Sequence, residues 1–486
     1  MSRLAYKTDA SFLEKIALGA MAARKTLDFL NSKGHRMIEL ERLSLSDDLW
    51  KDVKLKRRRV PDLLCIKCGL RVESRAKSKL EITVSHSQDV KDREWDAGLL
   101  DEDWMAFLLC TKTGKGPRDW APSECINFVK IGSMRIAEST TKLKQRKGAE
   151  EGSEVQKTWP FRVPHKSGII TAIDGNTVKL AAVDGKISTI RLALKGAGRL
   201  VPQVKVGDAV RAEEQFVAAV VPLVTPVTCP GGKNAAGFAK DLMAKEFTVR
   251  FAAAKALGEI GDTTTCEALK KTLGAEKDDL VIMEAAGSLA KLGSNDGFEH
   301  LKKVISGGDS EQKFRTAVIL SEISSEQAED MLATLVSDTG LHPEIRAVAA
   351  KGLQLRTGLK GQTLRALIEA TTSDDFKIRL HAARSLVAQQ ETVVGLLLQS
   401  LPGRNDLSSA TICWCLARIG QPAIADILDA SLKDDKREWC ALTLGLMYSH
   451  IPQESLAELK RRSPEIGFAA RVLSRIQGWI YELDSA

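Results

Sequence analysis

Aromatic side chains make up only 5% of the 486 residues, so the interior has to be built from the abundant Ala and Leu, which favours helix packed on helix. No stretch reaches the roughly 20 apolar residues of a membrane span. The opening "MSRLAYKTDASFLEKIALGAMAARK" also lacks the apolar core of a signal peptide, because Glu14, Lys15, Arg24 and Lys25 interrupt it. A tight cysteine framework is missing too: nine cysteines, an odd number, are scattered along the chain and point to free thiols in a reducing compartment. The expectation is a soluble, cytoplasmic protein. Its net charge of +8, from 71 basic and 63 acidic side chains, permits a polyanionic partner without requiring one.

The length fits about three domains, and three textures follow one another. Residues 1–136 mix helix and strand signals. The charged run "AESTTKLKQRKGAEEGSEVQKT" (137–158) has too few apolar residues to bury a face and reads as a linker. Residues 159–222 are strand-like. A Pro- and Gly-rich stretch (223–237) reads as a second linker, and 238–486 is helical throughout.

The helical half repeats itself. "VRFAAAKALGEIGD" (Val249–Asp262) is echoed by "VIMEAAGSLAKLGS" (Val281–Ser294), "IRAVAAKGLQL" (Ile345–Leu355) and "IRLHAARSLVA" (Ile378–Ala388). Equivalent leucines, Leu257, Leu289, Leu320, Leu353, Leu386, Leu416, Leu444 and Leu473, recur every 28–33 residues or so, a solenoid period. Each copy is followed by a second amphipathic segment, so one repeat is a helical hairpin that buries its apolar face only against neighbours. The pattern resembles HEAT repeats, closest to the short kind found in bilin lyases. That resemblance implies an α-solenoid that holds a macromolecular partner, such as a protein. Arg250, Arg346 and Arg379 recur at one repeat position and are expected to pair with acids or carbonyls. Cys413, Cys415 and Cys440 are expected in the core.

In the middle segment, Asp174-Gly175 and Asp184-Gly185 suit tight hairpins between short strands. "LVPQVKVGDAVRAEEQFVA" (Leu200–Ala218) resembles an element of barrel-sandwich hybrids, which implies a small all-β barrel. The lysine motif of the carrier versions is lacking.

The N-terminal segment reads helix, then strands at Arg36–Ser44, Val60–Ile66, Leu70–Lys77 and Lys79–Ser87, an α/β domain with a mixed sheet. Ser11 and Glu14 fit a capping box, and Gly34 is a helix stop. Two chemistries compete for "RRRVPDLLCIKCGLRVESRAK" (Arg57–Lys77). Asp62 after Pro61, a short hairpin, and then "ESRAK" resemble the PD-(D/E)xK nuclease superfamily. The resemblance implies Mg²⁺ held by Asp62 and Glu73, with Glu39 or Glu14 as a further acid. It also implies a basic residue that orients the attacking water. Residues i and i+2 share one face of a strand. Here the family's lysine position holds Arg75, and Lys77 follows two residues on, so either is a candidate for that role. The basic run Lys54, Lys56, Arg57, Arg58 and Arg59 would contact phosphates of nucleic acid, DNA being favoured. Combined with repeats, this suggests, by analogy alone, bacterial defence or DNA processing.

The rival reading of the same stretch is a zinc site of Cys65 and Cys68 with Cys110 and Cys125, His86 being a further candidate. Because no second CxxC exists, "CIKCG" is read as the turn between two strands. Trp95 and Trp104 are expected in the core or a lid. The rival for the whole protein is a non-enzymatic HEAT-repeat scaffold with a degenerate or zinc-stabilised N-terminal domain.

Overall fold

The computed structural model describes residues 9–44, 46, 50, 59–145, 154–194, 199–403 and 405–480. The chain forms two compact units: residues 1–49 with 56–288, and residues 50–55 with 289–486.

The first unit opens with helix α1 (Asp9–Ser32), which begins two residues before the expected Ser11 cap. A mixed sheet follows, built from β1 (Met37–Glu39), β2 (Leu63–Cys65), β3 (Arg71–Lys77), β5 (Trp104–Lys112) and β6 (Trp120–Lys130) in the order β1-β2-β3-β5-β6. β1 with β2 and β2 with β3 pair antiparallel, β3 is parallel to β5, and β6 turns back antiparallel to β5. Val72 and Ser74 face α1, where Leu30 packs in the core with Val72 and the Thr26 hydroxyl lies 3.3 Å from that of Ser74. Alternation sends Glu73, Arg75 and Lys77 to the opposite face. On that face Met105 and Phe107 pack with the buried Trp95 and Trp159.

The described parts of both expected linkers form strands. Within 137–158, β7 (Lys142–Gln145) and β8 (Glu154–Thr158) pair with each other, and β8 pairs with β4 (Thr83–Ser87). Val155 is buried there although the run as a whole is charged, since a strand needs only alternate apolar positions. Within 223–237, β16 (Leu223–Val224) adds a sixth strand to the main sheet beside β6. The chain then passes back over the β2–β3 turn: the Cys229 N–H donates to the Lys33 carbonyl at 2.9 Å, and the Lys233 N–H to that of Lys67 at 3.0 Å.

The middle segment forms two small sheets. β10 (Gly168–Ile173), β11 (Thr177–Ala182) and β12 (Ile187–Arg191) are consecutive hairpins, with β14 (Ala209–Val210) beside β10. Hairpins form at both Asp-Gly pairs: Asp174 accepts the Asn176 and Thr177 amides at 2.8 and 2.7 Å, and Gly185, unlike Gly175, adopts a positive φ, +77°. β9 (Phe161–Arg162), β13 (Val201–Pro202) and β15 (Ala218–Ala219) make the second sheet. Helices α2 (Ile131–Ile136), α3 (Ala235–Asp241), α4 (Phe247–Ile260), α5 (Cys266–Ala275) and most of α6 (Asp279–Lys291) complete the unit.

The second unit is a helical repeat array. α8 (Ser310–Ser321), α10 (Pro343–Gly352), α12 (Phe376–Val387), α14 (Asp406–Ile419), α16 (Arg437–Leu446) and α18 (Pro464–Ile480) pack each on the next. α7 (Asn295–Gly307), α9 (Glu326–Ser337), α11 (Gly361–Ala370), α13 (Val394–Gln399), α15 (Ile424–Ala430) and α17 (Gln453–Arg462) are the return helices. One hydrogen bond recurs with the repeat in both units. The residue before the repeated leucine reaches the carbonyl three before the previous one: Ser288 to Ala254 (2.7 Å), Ser385 to Ala350 (2.7 Å) and Cys415 to Ala383 (3.7 Å). The recurring arginines do what was expected of them. Arg250 pairs with Glu276 at 2.6 Å and donates to the Ala244 carbonyl; Arg346 donates to Val336 and Arg379 to Ser373. Cys413, Cys415 and Cys440 are buried, as their apolar surroundings imply.

Two candidate sites on one hairpin

The β2–β3 hairpin carries both chemistries that the sequence proposed. Its register pairs Leu63 with Val72, so the next pair outward sets Asp62 opposite Glu73. The Ser74 N–H donates to Asp62 Oδ2 at 2.6 Å. Glu73 is buried and forms an ion pair with Arg75 on its own strand. Burial first, and then the neighbouring Glu73 and Glu41, hold the Asp62 carboxyl well above the usual carboxylate range; Arg75 and the Ser74 N–H act against them. Burial also works against the charge on Arg75, but Glu73, Asp62 and Glu41 outweigh it and keep its pKa raised.

Glu41, just beyond β1, is a further carboxylate whose charge bears on Asp62. Sequence reasoning passed over it for Glu39 and Glu14. Its signal was present in the alternation of "IELER", where Glu39 and Glu41 stand two apart. Glu39 lies against the Ser44 hydroxyl at 3.4 Å, and Glu14 pairs with Lys112, at the far end of β5 from Met105, the partner of Glu73. Arg75 pairs with Glu73, while Lys77 donates to the Thr83 carbonyl and lies over the Phe107 ring. Of the basic run, Lys54, Lys56, Arg57 and Arg58 lie outside the described residues. Arg59 is turned to the carbonyls of Glu94 and Trp95, to which it donates at 2.6 and 2.8 Å.

A carboxyl whose folded pKa is raised keeps its proton when the unfolded chain has released it, so stability falls as pH rises above the ordinary Asp value of about 4. Asp62→Asn is accordingly expected to raise Tm at neutral pH. The gain should shrink toward zero as pH falls to about 4, with a slope of at most about 1.4 kcal/mol per pH unit. Melts across that range check it, and a variant less stable than wild type at neutral pH would contradict it.

The turn of the same hairpin holds the second cluster. His35, Cys65, Cys68 and Cys229 present ligand atoms that all lie within 4.8 Å of one another, the one such group of His, Cys, Asp or Glu among the described residues. The two cysteines of "CIKCG" thus have partners other than those expected. Cys110 is buried on β5 against Ala22 and Leu108, Cys125 lies by Gln215, and His86 accepts the Trp95 N–H at 3.2 Å. Cys110 lies toward the far end of β5, Cys125 on β6, and His86 on β4 of another sheet. His35 follows α1, where Gly34 adopts φ +82° and the His35 N–H returns to the Leu30 carbonyl at 3.2 Å, a left-handed helix end. The hydrogen bond with Cys68 brings the Cys65 thiol down to about 4, helped by the Lys67 and Arg36 amides against burial; the same bond and burial push Cys68 up.

Residues 240–321 match the family model of HEAT repeats. No curated protein matches the chain. Human deoxyhypusine hydroxylase in complex with glycerol is similar to 44% of this chain over 84% of its own, at 17% identity and a TM-score of 0.20. An engineered protein is similar to 51% of this chain over 98% of its own, at 18% identity and a TM-score of 0.18. At those TM-scores neither neighbour bears on what the chain does. No described helix is long and apolar enough to cross a membrane.

Proposed function

We propose that the protein is a nucleic-acid-binding hydrolase that cleaves phosphodiesters, with the HEAT-like repeats as a helical scaffold that positions substrate or a protein partner. The observation that carries the reading is the apposition of Asp62 and Glu73 across one hairpin of a mixed sheet, with Glu41 beside them and Arg75 two residues further along β3. Asp62, Glu73 and Glu41 set three carboxyls near Arg75 and Arg59, and the neighbouring acids add to burial in raising the Asp62 pKa; a hard divalent cation would relieve such crowding. Asp62 and Glu73 would hold Mg²⁺, with Glu41 as the further acid. Mg²⁺ in such sites supplies Lewis acidity toward a phosphoryl oxygen. Arg75, permanently charged and tied to Glu73, would steady negative charge developing on the phosphate, the part given to lysine in the PD-(D/E)xK pattern. The Ser74 N–H fixes which way the Asp62 carboxylate points.

The test is cleavage of plasmid, linear duplex, single-stranded DNA and RNA in Mg²⁺ or Mn²⁺. Glu73→Ala and Asp62→Ala are expected to lose on the order of 100-fold or more of the rate, and Arg75→Lys to retain activity. Equal products from wild type and both alanine variants, or none from any substrate, would sink the proposal. The second reading, a non-enzymatic scaffold, is favoured by the ion pair that Arg75 already makes with the buried Glu73. It predicts no cleavage and unchanged partner binding in Glu73→Ala.

A further inference from the structure

We propose that His35, Cys65, Cys68 and Cys229 bind one zinc ion in a tetrahedral structural site that clasps the end of α1 and the returning 223–237 segment onto the β2–β3 turn. The distances carry it. Zn–S bonds of about 2.3 Å and Zn–N bonds of about 2.0–2.1 Å set tetrahedral edges of roughly 3.8 Å between two sulfurs and about 3.6 Å between sulfur and nitrogen. Cys65 Sγ lies 3.9 Å from Cys229 Sγ, and Cys68 Sγ lies 3.6 Å from His35 Nδ1. All four atoms fall within 4.8 Å of one another, which suits one ion. All three cysteines are free of disulfides.

Gly69 adopts φ +79° to close the turn, and a Cβ there would meet the Lys233 side chain at 2.7 Å, so the returning segment lies directly on it. Three thiolates and an imidazole are soft and borderline donors, which select zinc over Mg²⁺ or Ca²⁺. His35 and Cys68 also border a cavity of about 360 Å³, shared with Arg71, Trp104 and Lys233, through which an ion can enter.

The ligands come from three places in the chain: Cys65 and Cys68 from the turn, His35 from just after α1, and Cys229 from the far side of the middle segment. A single ion would therefore close a loop of more than 160 residues. It would also fix the hairpin register that sets Asp62 opposite Glu73, whether or not those carboxylates cut anything.

Metal content tests this without any substrate. Full-length protein expressed with added zinc and purified without chelators is expected to carry about one zinc per chain, by plasma mass spectrometry. Cys229→Ser and His35→Ala should lose it, while Cys110→Ser and Cys125→Ser should keep it. Should the first two fail to fold, the wild type still decides. Exchange for cobalt(II) is expected to give the intense visible bands of a tetrahedral ion with thiolate-to-cobalt charge transfer. Zinc well below stoichiometry in the wild type, full zinc in Cys229→Ser, or the weak bands of six-coordinate cobalt would each overturn the proposal.

Discussion

Asp103→Ala is expected to destabilise the first unit by about 3–5 kcal/mol, the range for removing one partner of a buried ion pair. Arg71, the first residue of β3, and Asp103, just before β5, are 5% and 4% exposed. All three nitrogens of the Arg71 guanidinium are engaged: Nε and Nη2 grip the two Asp103 oxygens, Nε at 2.8 Å, and Nη1 donates to Thr248 Oγ1 at 3.0 Å. Asp103 also accepts the Leu100 N–H at 2.7 Å, and Thr248 passes its own proton to the Gly98 carbonyl at 2.9 Å. Truncating Asp103 leaves an arginine charge that burial cannot neutralise. The network joins two strands of the sheet to α4, so the loss should register as a lower transition for the whole first unit. The double substitution Arg71→Met with Asp103→Leu should recover most of it, since no charge is then stranded. Urea melts of wild type, single and double variants give the comparison. A single variant within about 1 kcal/mol of wild type would show that water reaches the site.

The second large effect lies in the repeats. Leu320→Ala is expected to cost about 2–5 kcal/mol, because Leu320 is fully buried at the end of α8 among other repeat side chains. Leu353 and Leu386, its repeat equivalents, are equally buried and should behave alike. Packing in such an array is set by each repeat and its neighbours. The loss should therefore appear first as faster hydrogen exchange in α8 and α10, with little change in the first unit. Uniform loss of protection across both units would contradict a repeat array.

That array was legible because its information is local. Helical spacing of apolar residues, small residues where helices approach, and a leucine returning at a fixed period are all visible in a window of one repeat. The hairpin of "PDLLCIKCGLRVES" was legible for the same reason: two apolar runs flank a turn ending in Gly69, and i, i+2 alternation puts Glu73 and Arg75 on one face. The two linkers were misread because low apolar content says little about a short strand that pairs through its backbone with an existing edge, as β8 does with β4 and β16 with β6.

By itself, then, the sequence determined the repeated helices, the tight turns and the strand that carries Glu73. Only the tertiary structure decided which side chains meet. Glu41 joins Asp62 because β1 pairs with β2, and Arg59 turns inward because the Glu94 and Trp95 carbonyls receive it. His35 and Cys229 join Cys65 and Cys68 because a left-handed helix end and a returning edge segment deliver them to one turn. Local conformation follows from near neighbours in the chain. Convergence of groups far apart in sequence follows from how the sheet closes, which leaves no fixed spacing in the sequence to read.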